Sequence, residues 1–220
     1  MGSVFGKETV AEPPFAVLME RTHVHTTYEI RKYGERFAAT CNYEEGDKMG
    51  SPFRALASYI GVFGIPQNEG HESISMTAPV VIEGGTPIAM TAPVVTEMED
   101  GQKVMKFMLP AEYDSISKIP NPTNPAVHIE KIPPAIGVVH KYHGSLEEDH
   151  NREMAVDLAE QLMNDGVQGI TEDYVLEKFQ FWGYNPPFTL PYFRRNEVWV
   201  PLTPDQVDYL MNKYTTSELN

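Results

Sequence analysis

Tyr28-Glu29-Ile30-Arg31-Lys32-Tyr33 and, later in the chain, Val127-His128-Ile129-Glu130-Lys131-Ile132 share one grammar. In both, apolar side chains alternate with charged or polar ones, the period-two pattern of a strand with one buried face. A turn at Gly34-Glu35 leads the first into a strand over Arg36 through Tyr43, and Pro133-Pro134 leads the second into Ala135 through Tyr142. A helix follows each pair. Ser51-Pro52 supplies an N-cap and a favoured first helical position, and Phe53, Leu56, Ala57 and Ile60 then recur at i, i+3, i+4 and i+7 until Gly61 and Gly64 end the run. The second helix, near Glu147 to Asn164, turns Met154, Leu158 and Leu162 inward beside Ala155 and Ala159 and is closed by Asp165-Gly166. Tyr174 through Tyr184 and Glu197 through Leu202 read as the strands that complete the second unit. Neither unit has enough helix to cover its own strands. The expectation is therefore one α+β domain, a pseudo-two-fold duplicated unit with two main α-helices on a continuous antiparallel sheet.

Around this core we expect an N-terminal arm over residues 1–14, the domain over 15–202 with repeats at about 24–112 and 125–202, and a C-terminal helical tail over 203–220. Pro120, Pro122 and Pro125 stiffen the link between the units. In the tail, Thr203-Pro204-Asp205 starts a helix whose apolar stripe is Val207, Leu210, Met211 and Tyr214. That stripe docks on the domain or on a second copy, which leaves a homodimer open.

Composition narrows the classes. The chain is 41% hydrophobic and 22% charged, ordinary for a globular protein. No apolar run approaches the ~20 residues of a spanning helix, so no membrane span is expected. Seventeen basic against thirty-one acidic residues give a net charge of −14, a field that repels nucleic acid and anionic membranes. The single Cys41, in the strand-like run from Phe37, reads as a buried structural thiol in a reducing compartment. No secretory or transit pattern opens the chain, and Gly6 stands where a myristoylation signal needs Ser or Thr, so a cytoplasmic protein is expected.

One further feature is more specific. Ile74-Ser75-Met76-Thr77-Ala78-Pro79-Val80-Val81 is nearly copied at Ile88-Ala89-Met90-Thr91-Ala92-Pro93-Val94-Val95. With Gly183-Tyr184-Asn185-Pro186-Pro187-Phe188 and Arg194-Arg195-Asn196-Glu197-Val198-Trp199, this doublet resembles the SOUL family of haem-binding proteins from about Phe15 to Leu202. The opening Met1-Gly2-Ser3-Val4-Phe5-Gly6-Lys7 resembles plant and algal members without a transit peptide. The resemblance implies a distorted antiparallel β-barrel-like sheet flanked by the two helices. It also implies non-covalent binding, transport or buffering of haem or another tetrapyrrole, without catalysis.

Such a ligand needs an apolar slot, a cation for its carboxylates and optionally an axial ligand. For the slot we expect Phe53 and Ala57 on the first helix, Met76 and Met90 in the doublet, and Tyr184 and Phe188 in the proline-stiffened loop. Methionine adapts its shape to a ring. The prolines place the doublet strands at an edge or bulge, where a missing donor is tolerated. Arg54 is the best-placed cation, with Lys48 just before it; Arg194 and Arg195 read as a structural ion pair and turn. One animal branch of the family carries an axial histidine in its first strand, where this chain has Lys32, whose protonated amine is no ligand. Of the seven histidines only His71 falls near the slot, as a candidate metal ligand. Binding mainly without strong axial coordination is the expectation.

Two other functions compete. The duplicated fold resembles gyrase-inhibitor-like proteins, some of them small-molecule hydrolases using an acid beside an aromatic. Glu177 and Trp182 could play those parts, although on one strand they would face opposite ways. A protein-interaction module would use Leu158 and Leu162 of the second helix, if they are exposed.

Overall fold

The computed structural model describes residues 12–44, 50–78, 80–83, 102–185 and 189–215. In chain order these form β1 (Phe15–Arg21), β2 (Tyr28–Tyr33), β3 (Arg36–Glu44), α1 (Gly50–Ile60), β4 (Val80–Glu83), β5 (Gln102–Met108), β6 (His128–Ile132) and β7 (Ala135–Tyr142). Then come α2 (Glu148–Asn164), α3 (Glu172–Lys178), β8 (Gln180–Gly183), β9 (Asn196–Pro201) and α4 (Pro204–Thr215). The strands make one strongly curled antiparallel half-barrel in the order β1-β2-β7-β9-β8-β4-β5-β3-β6.

Without β1 that order is a palindrome about the β8–β4 seam: β2 corresponds to β6, β7 to β3, β9 to β5 and β8 to β4. The first strand of each unit pairs with the other unit, Ile30 opposite Val138 and Ala39 opposite Ile129. This exchange explains why the duplicated sequence folds as one domain: neither unit owns a complete sheet.

Strand parity separates two faces. Outward-facing Phe37, Ala39, Cys41, Met105 and Phe107 pack under α1 with Leu56, Ala57, Tyr59 and Ile60. Ile30, Val138, Phe181 and Val198 pack under α2, whose Leu158 and Leu162 are wholly buried, each side chain contributing about 1.5–3 kcal/mol. Gly166 closes α2 at φ +81, where the amides of Gly166 and Val167 bond the oxygens of Met163 and Leu162. The inner face, turned away from the helices, gathers Tyr33, Ala38, Val81, Met108, Val139, Trp182, Tyr184 and Trp199. Cys41 is buried and free, and burial pushes its thiol up.

Three expectations need correction. Tyr174 through Tyr184 is not one strand: Thr171 caps α3 by accepting from the Tyr174 amide at 3.1 Å. Glu172 and Asp173 complement the helix dipole, Val175 and Leu176 face the core, and the strand begins only at Gln180. Phe15–Arg21 is a strand that the sequence reading left inside the domain without an element. Of the edge or bulge expected for the doublet strands, the edge is excluded for the first copy, because β4 lies between β5 and β8. Its pairing starts at Val80, and Pro79 lies outside the described residues. The second copy lies outside the described residues. The tail docks on its own chain: Val207 and Leu210 enter the α2 core, and the Tyr214 hydroxyl donates to Asp165 at 2.9 Å.

Candidate functional site

The expected slot residues divide by face. Phe53 is half-buried on α1, its ring edge-on to Phe107 at 5.4 Å between centroids. Arg54 is exposed one residue on and makes no ion pair among the described residues. Ala57 is fully buried beneath α1, so it supports this wall from within. Met76 is 37% exposed. It follows Ile74, whose amide bonds Ile60 at the end of α1, and precedes Thr77, whose hydroxyl donates to the Met108 carbonyl. Tyr184 is on the other side of the sheet, among the inner-face aromatics. Lys48, Met90 and Phe188 lie outside the described residues. The structure thus brings Phe53, Arg54 and Met76 to the α1 side and separates Tyr184 from them. His71 is exposed in the turn after α1.

At the N-terminal end of α2, on the seam between the two sheet halves, a depression of about 50 Å³ is lined by Ile82, Leu146, Phe179 and Phe181. Lys103 on β5 and Glu148 on α2 close one rim with a 2.6 Å ion pair. Tyr43 lines the same opening, its hydroxyl pushed up to about 12 by burial and by the nearby Glu148 charge.

The inner face holds the densest chemistry, and the sequence reading missed it. Glu197 is fully buried and accepts from both terminal nitrogens of Arg31 at 2.9 and 3.0 Å. Arg195 adds bonds from Nε at 3.0 Å and Nη2 at 2.8 Å, and the Tyr184 hydroxyl one at 2.7 Å. Glu12 holds Arg195 from the far side at 2.8 and 3.1 Å. Burial alone would lower both guanidinium pKa values. The hydrogen bonds and charge of Glu197, and of Glu12 for Arg195, reverse that and raise them. Burial also pushes Tyr33 up to about 12 and Tyr184 well above its ordinary value. Around this network Trp182 and Trp199 stack at 6.0 Å.

An acid beside an aromatic therefore exists, but it is Glu197, cross-strand partner of Trp182. Glu177 is an exposed α3 residue paired with Lys178. The available signal was the motif Arg195-Asn196-Glu197 itself, where alternation places two opposite charges on one strand face. Saturated by guanidinium and hydroxyl donors and sealed from solvent, Glu197 has no lone pair presented to a substrate. For the interaction-module reading, Leu158 and Leu162 are wholly buried and reach no partner without unfolding. Among the described residues no cluster of metal-ligating side chains occurs, and no helix is long and apolar enough to cross a membrane.

Solved structures share the fold. The C-terminal domain of EcmrR aligns at 11% identity with a TM-score of 0.51, covering 82% of this chain and 99% of that one. An uncharacterized conserved protein from Listeria innocua aligns at 10% identity and a TM-score of 0.52, covering 80% and 92%. A hydrolase encoded by lin2189 from Listeria innocua aligns at 10% identity and 0.50, covering 80% and 91%. At such identities the likeness is one of architecture alone. No curated protein matches the chain. Residues 10–201 match the family model of the SOUL heme-binding protein, a span that includes every strand of the sheet, and the chain belongs to that family.

Proposed function

We propose that this protein binds haem or a related tetrapyrrole non-covalently in the cytoplasm and carries or buffers it without catalysis. Family membership over residues 10–201 is the observation that carries this reading. The α1 surface fits it. Arg54 stands exposed with no acidic partner among the described residues, beside half-buried Phe53. The helix ends at Ile60, and the turn that follows exposes the apolar side chains of Val62 and Phe63. A cation on the helix and an apolar shelf in the turn past its end suit a flat ligand with carboxylates on one edge. Lys48, Met90 and Phe188, outside the described residues, remain proposed ligand contacts on the sequence alone. Apolar burial at about 25 cal/mol per Å², less ordering costs, supplies most of the affinity. The chain's net charge of −14 opposes a dicarboxylate, which is why a locally unneutralised arginine matters.

Titration of the purified protein with haemin, protoporphyrin IX and a chlorophyllide tests the proposal through absorbance and quenching of Trp182 and Trp199. Saturable one-to-one binding of at least one ring is expected. Linear, non-saturating changes with all three would overturn it.

A further inference from the structure

His71 has φ +54, a left-handed conformation that a non-glycine residue holds only when its surroundings impose it. The constraint comes from Asn68, which is fully buried. Its side-chain nitrogen donates to the carbonyls of Tyr59 at 2.9 Å and Glu72 at 2.8 Å, and its Oδ1 accepts from the Glu72 amide at 2.9 Å. Its own carbonyl accepts from the His71 amide at 3.1 Å. The peptide on either side of His71 is thereby fastened to the last turn of α1. The turn does not need a histidine for this, because at positions 71 and 72 these bonds use only backbone atoms.

The ring is fixed as well. His71 Nδ1 lies 3.1 Å from the Pro66 carbonyl oxygen. A carbonyl only accepts, so Nδ1 carries the proton and the neutral ring keeps its lone pair on Nε2. Metal-bound imidazoles characteristically hold their second nitrogen this way, which sets the tautomer and raises ligand basicity. The carbonyl that holds His71 closes the turn bearing Val62, Phe63 and Ile65, exposed at 47%, 61% and 78%. Apolar side chains of this size massed in the open mark a surface that another molecule covers.

We infer that His71 Nε2 is an axial ligand for the metal of a metallated tetrapyrrole whose ring is received on the Val62, Phe63 and Ile65 shelf. The inference rests on the tetrapyrrole reading and revises the expectation of binding mainly without strong axial coordination. That expectation followed from Lys32 at the position where an animal branch of the family carries its axial histidine, and that position does not report a ring elsewhere whose tautomer is set by a backbone carbonyl. It also narrows the ligand class. Imidazole favours iron or zinc over magnesium, which prefers oxygen, so iron and zinc rings should bind more tightly than a magnesium chlorophyllide or a metal-free porphyrin.

Two measurements test it. In the ligand-free protein, long-range ¹H–¹⁵N correlation at mildly alkaline pH should show the Nδ1–H tautomer at His71; an Nε2–H ring overturns the inference. The second compares wild type with His71→Gly, which suits φ +54 without strain, and with His71→Asn, which tolerates it. Unchanged melting curves identify the folded variant to be used. Haemin affinity should fall by at least about tenfold, the lower end of the loss when a group that merely orients a metal ligand is removed. The wild-type Soret band should shift in the variant and be restored by added imidazole, while protoporphyrin IX binds both equally. If haemin binds wild type and variant with the same spectrum and affinity, His71 is not the ligand and the tetrapyrrole reading stands. If neither ring binds saturably, both fall.

Discussion

On the α2 side of the sheet, an ion pair crosses the inner face from Arg31 on β2, over β7, to Glu197 on β9; on the α1 side its counterpart runs from Glu130 on β6, over β3, to Lys106 on β5. The palindrome puts Arg31 and Glu130 on corresponding strands with the charges reversed. Exposure separates them: 0% for both side chains of the first pair, against 41% for Glu130 and 7% for Lys106. The cause lies in what each side has gained. Among the described residues, β1, α3 and α4 have no counterpart on the α1 side. Through Phe15, which sits 4.3 Å from the Arg31 guanidinium, and Glu12 on Arg195, the N-terminal segment seals the α2 side's ion pair. The α1 side keeps one helix, an open shelf and an unneutralised arginine. One half of the duplicated fold has become scaffold, and the other has kept the surface.

The largest expected effect tests that asymmetry directly. Glu197→Ala takes from buried Arg31 the carboxylate that holds both its terminal nitrogens, leaving it Glu29 at Nε, and should cost about 3–5 kcal/mol, whereas Glu130→Ala breaks a pair with one solvated partner and should cost under about 1 kcal/mol. Urea unfolding of the two variants measures the difference, and equal losses would refute the division. A smaller loss is expected at Gly137, opposite Arg31 on β7. A β-carbon there would stand 2.4 Å from the Trp199 indole. Gly137→Ala should therefore displace Trp199 from Trp182, cost about 1–3 kcal/mol by overpacking, and shift the tryptophan emission.

How much of this was legible in the sequence follows from what each signal encodes. Alternation in Tyr28–Tyr33 and 127–132 marks strands because burial acts on individual side chains, and the apolar period of Phe53, Leu56, Ala57 and Ile60 marks α1 for the same reason. The exchange of β2 and β6 between units was not legible: alternation states which face is buried, never which strand lies alongside. Tyr174 through Tyr184 misled because its apolar residues suit either period over so short a run, and the Thr171 cap was the overlooked signal. At the candidate site, Arg54 on an outer helical position was readable. Tyr184 was not, since a tyrosine after a strand gives no hint that its hydroxyl will be spent on Glu197. His71 was found only as a position, because a left-handed backbone and a carbonyl at Nδ1 leave no composition signature.

Asp165 sharpens the scaffold side of the comparison by pH. It receives the Tyr28 hydroxyl at 2.5 Å, Arg21 at 3.3 Å and Tyr214 from α4 at 2.9 Å. Burial pushes its carboxyl up, but these hydrogen bonds and the Arg21 charge outweigh it and hold the pKa below the ordinary value. A depressed folded-state pKa means stability fully present above the unfolded value of about 3.9 and lost as pH falls through the folded one. Melting temperatures between pH 5 and pH 2 should therefore drop more steeply in the wild type than in Asp165→Asn, whose neutral amide has nothing left to titrate. Parallel curves would show that Asp165 does not anchor α4 electrostatically.

The smallest effect belongs to the open side. Arg54→Glu alters an exposed residue with no ion pair among the described residues, so unfolding should stay within about 0.5 kcal/mol of wild type. If Arg54 meets a ligand carboxylate, that contact is a solvated one. Its loss should weaken protoporphyrin binding by up to about fivefold and more at low ionic strength than at high, since salt screens exposed charges beyond about 8 Å at physiological strength. A matching reversal on the α2 side, Lys141→Glu, removes a cation from Glu29 on the sealed half. It should leave porphyrin affinity untouched at physiological salt, and its effect at low ionic strength should be smaller than that of Arg54→Glu, because Lys141 lies on the other half of the sheet. Equal salt-dependent losses from both variants would mean that the ring feels only the net charge of the chain, and that the α1 surface has no privileged part in holding it.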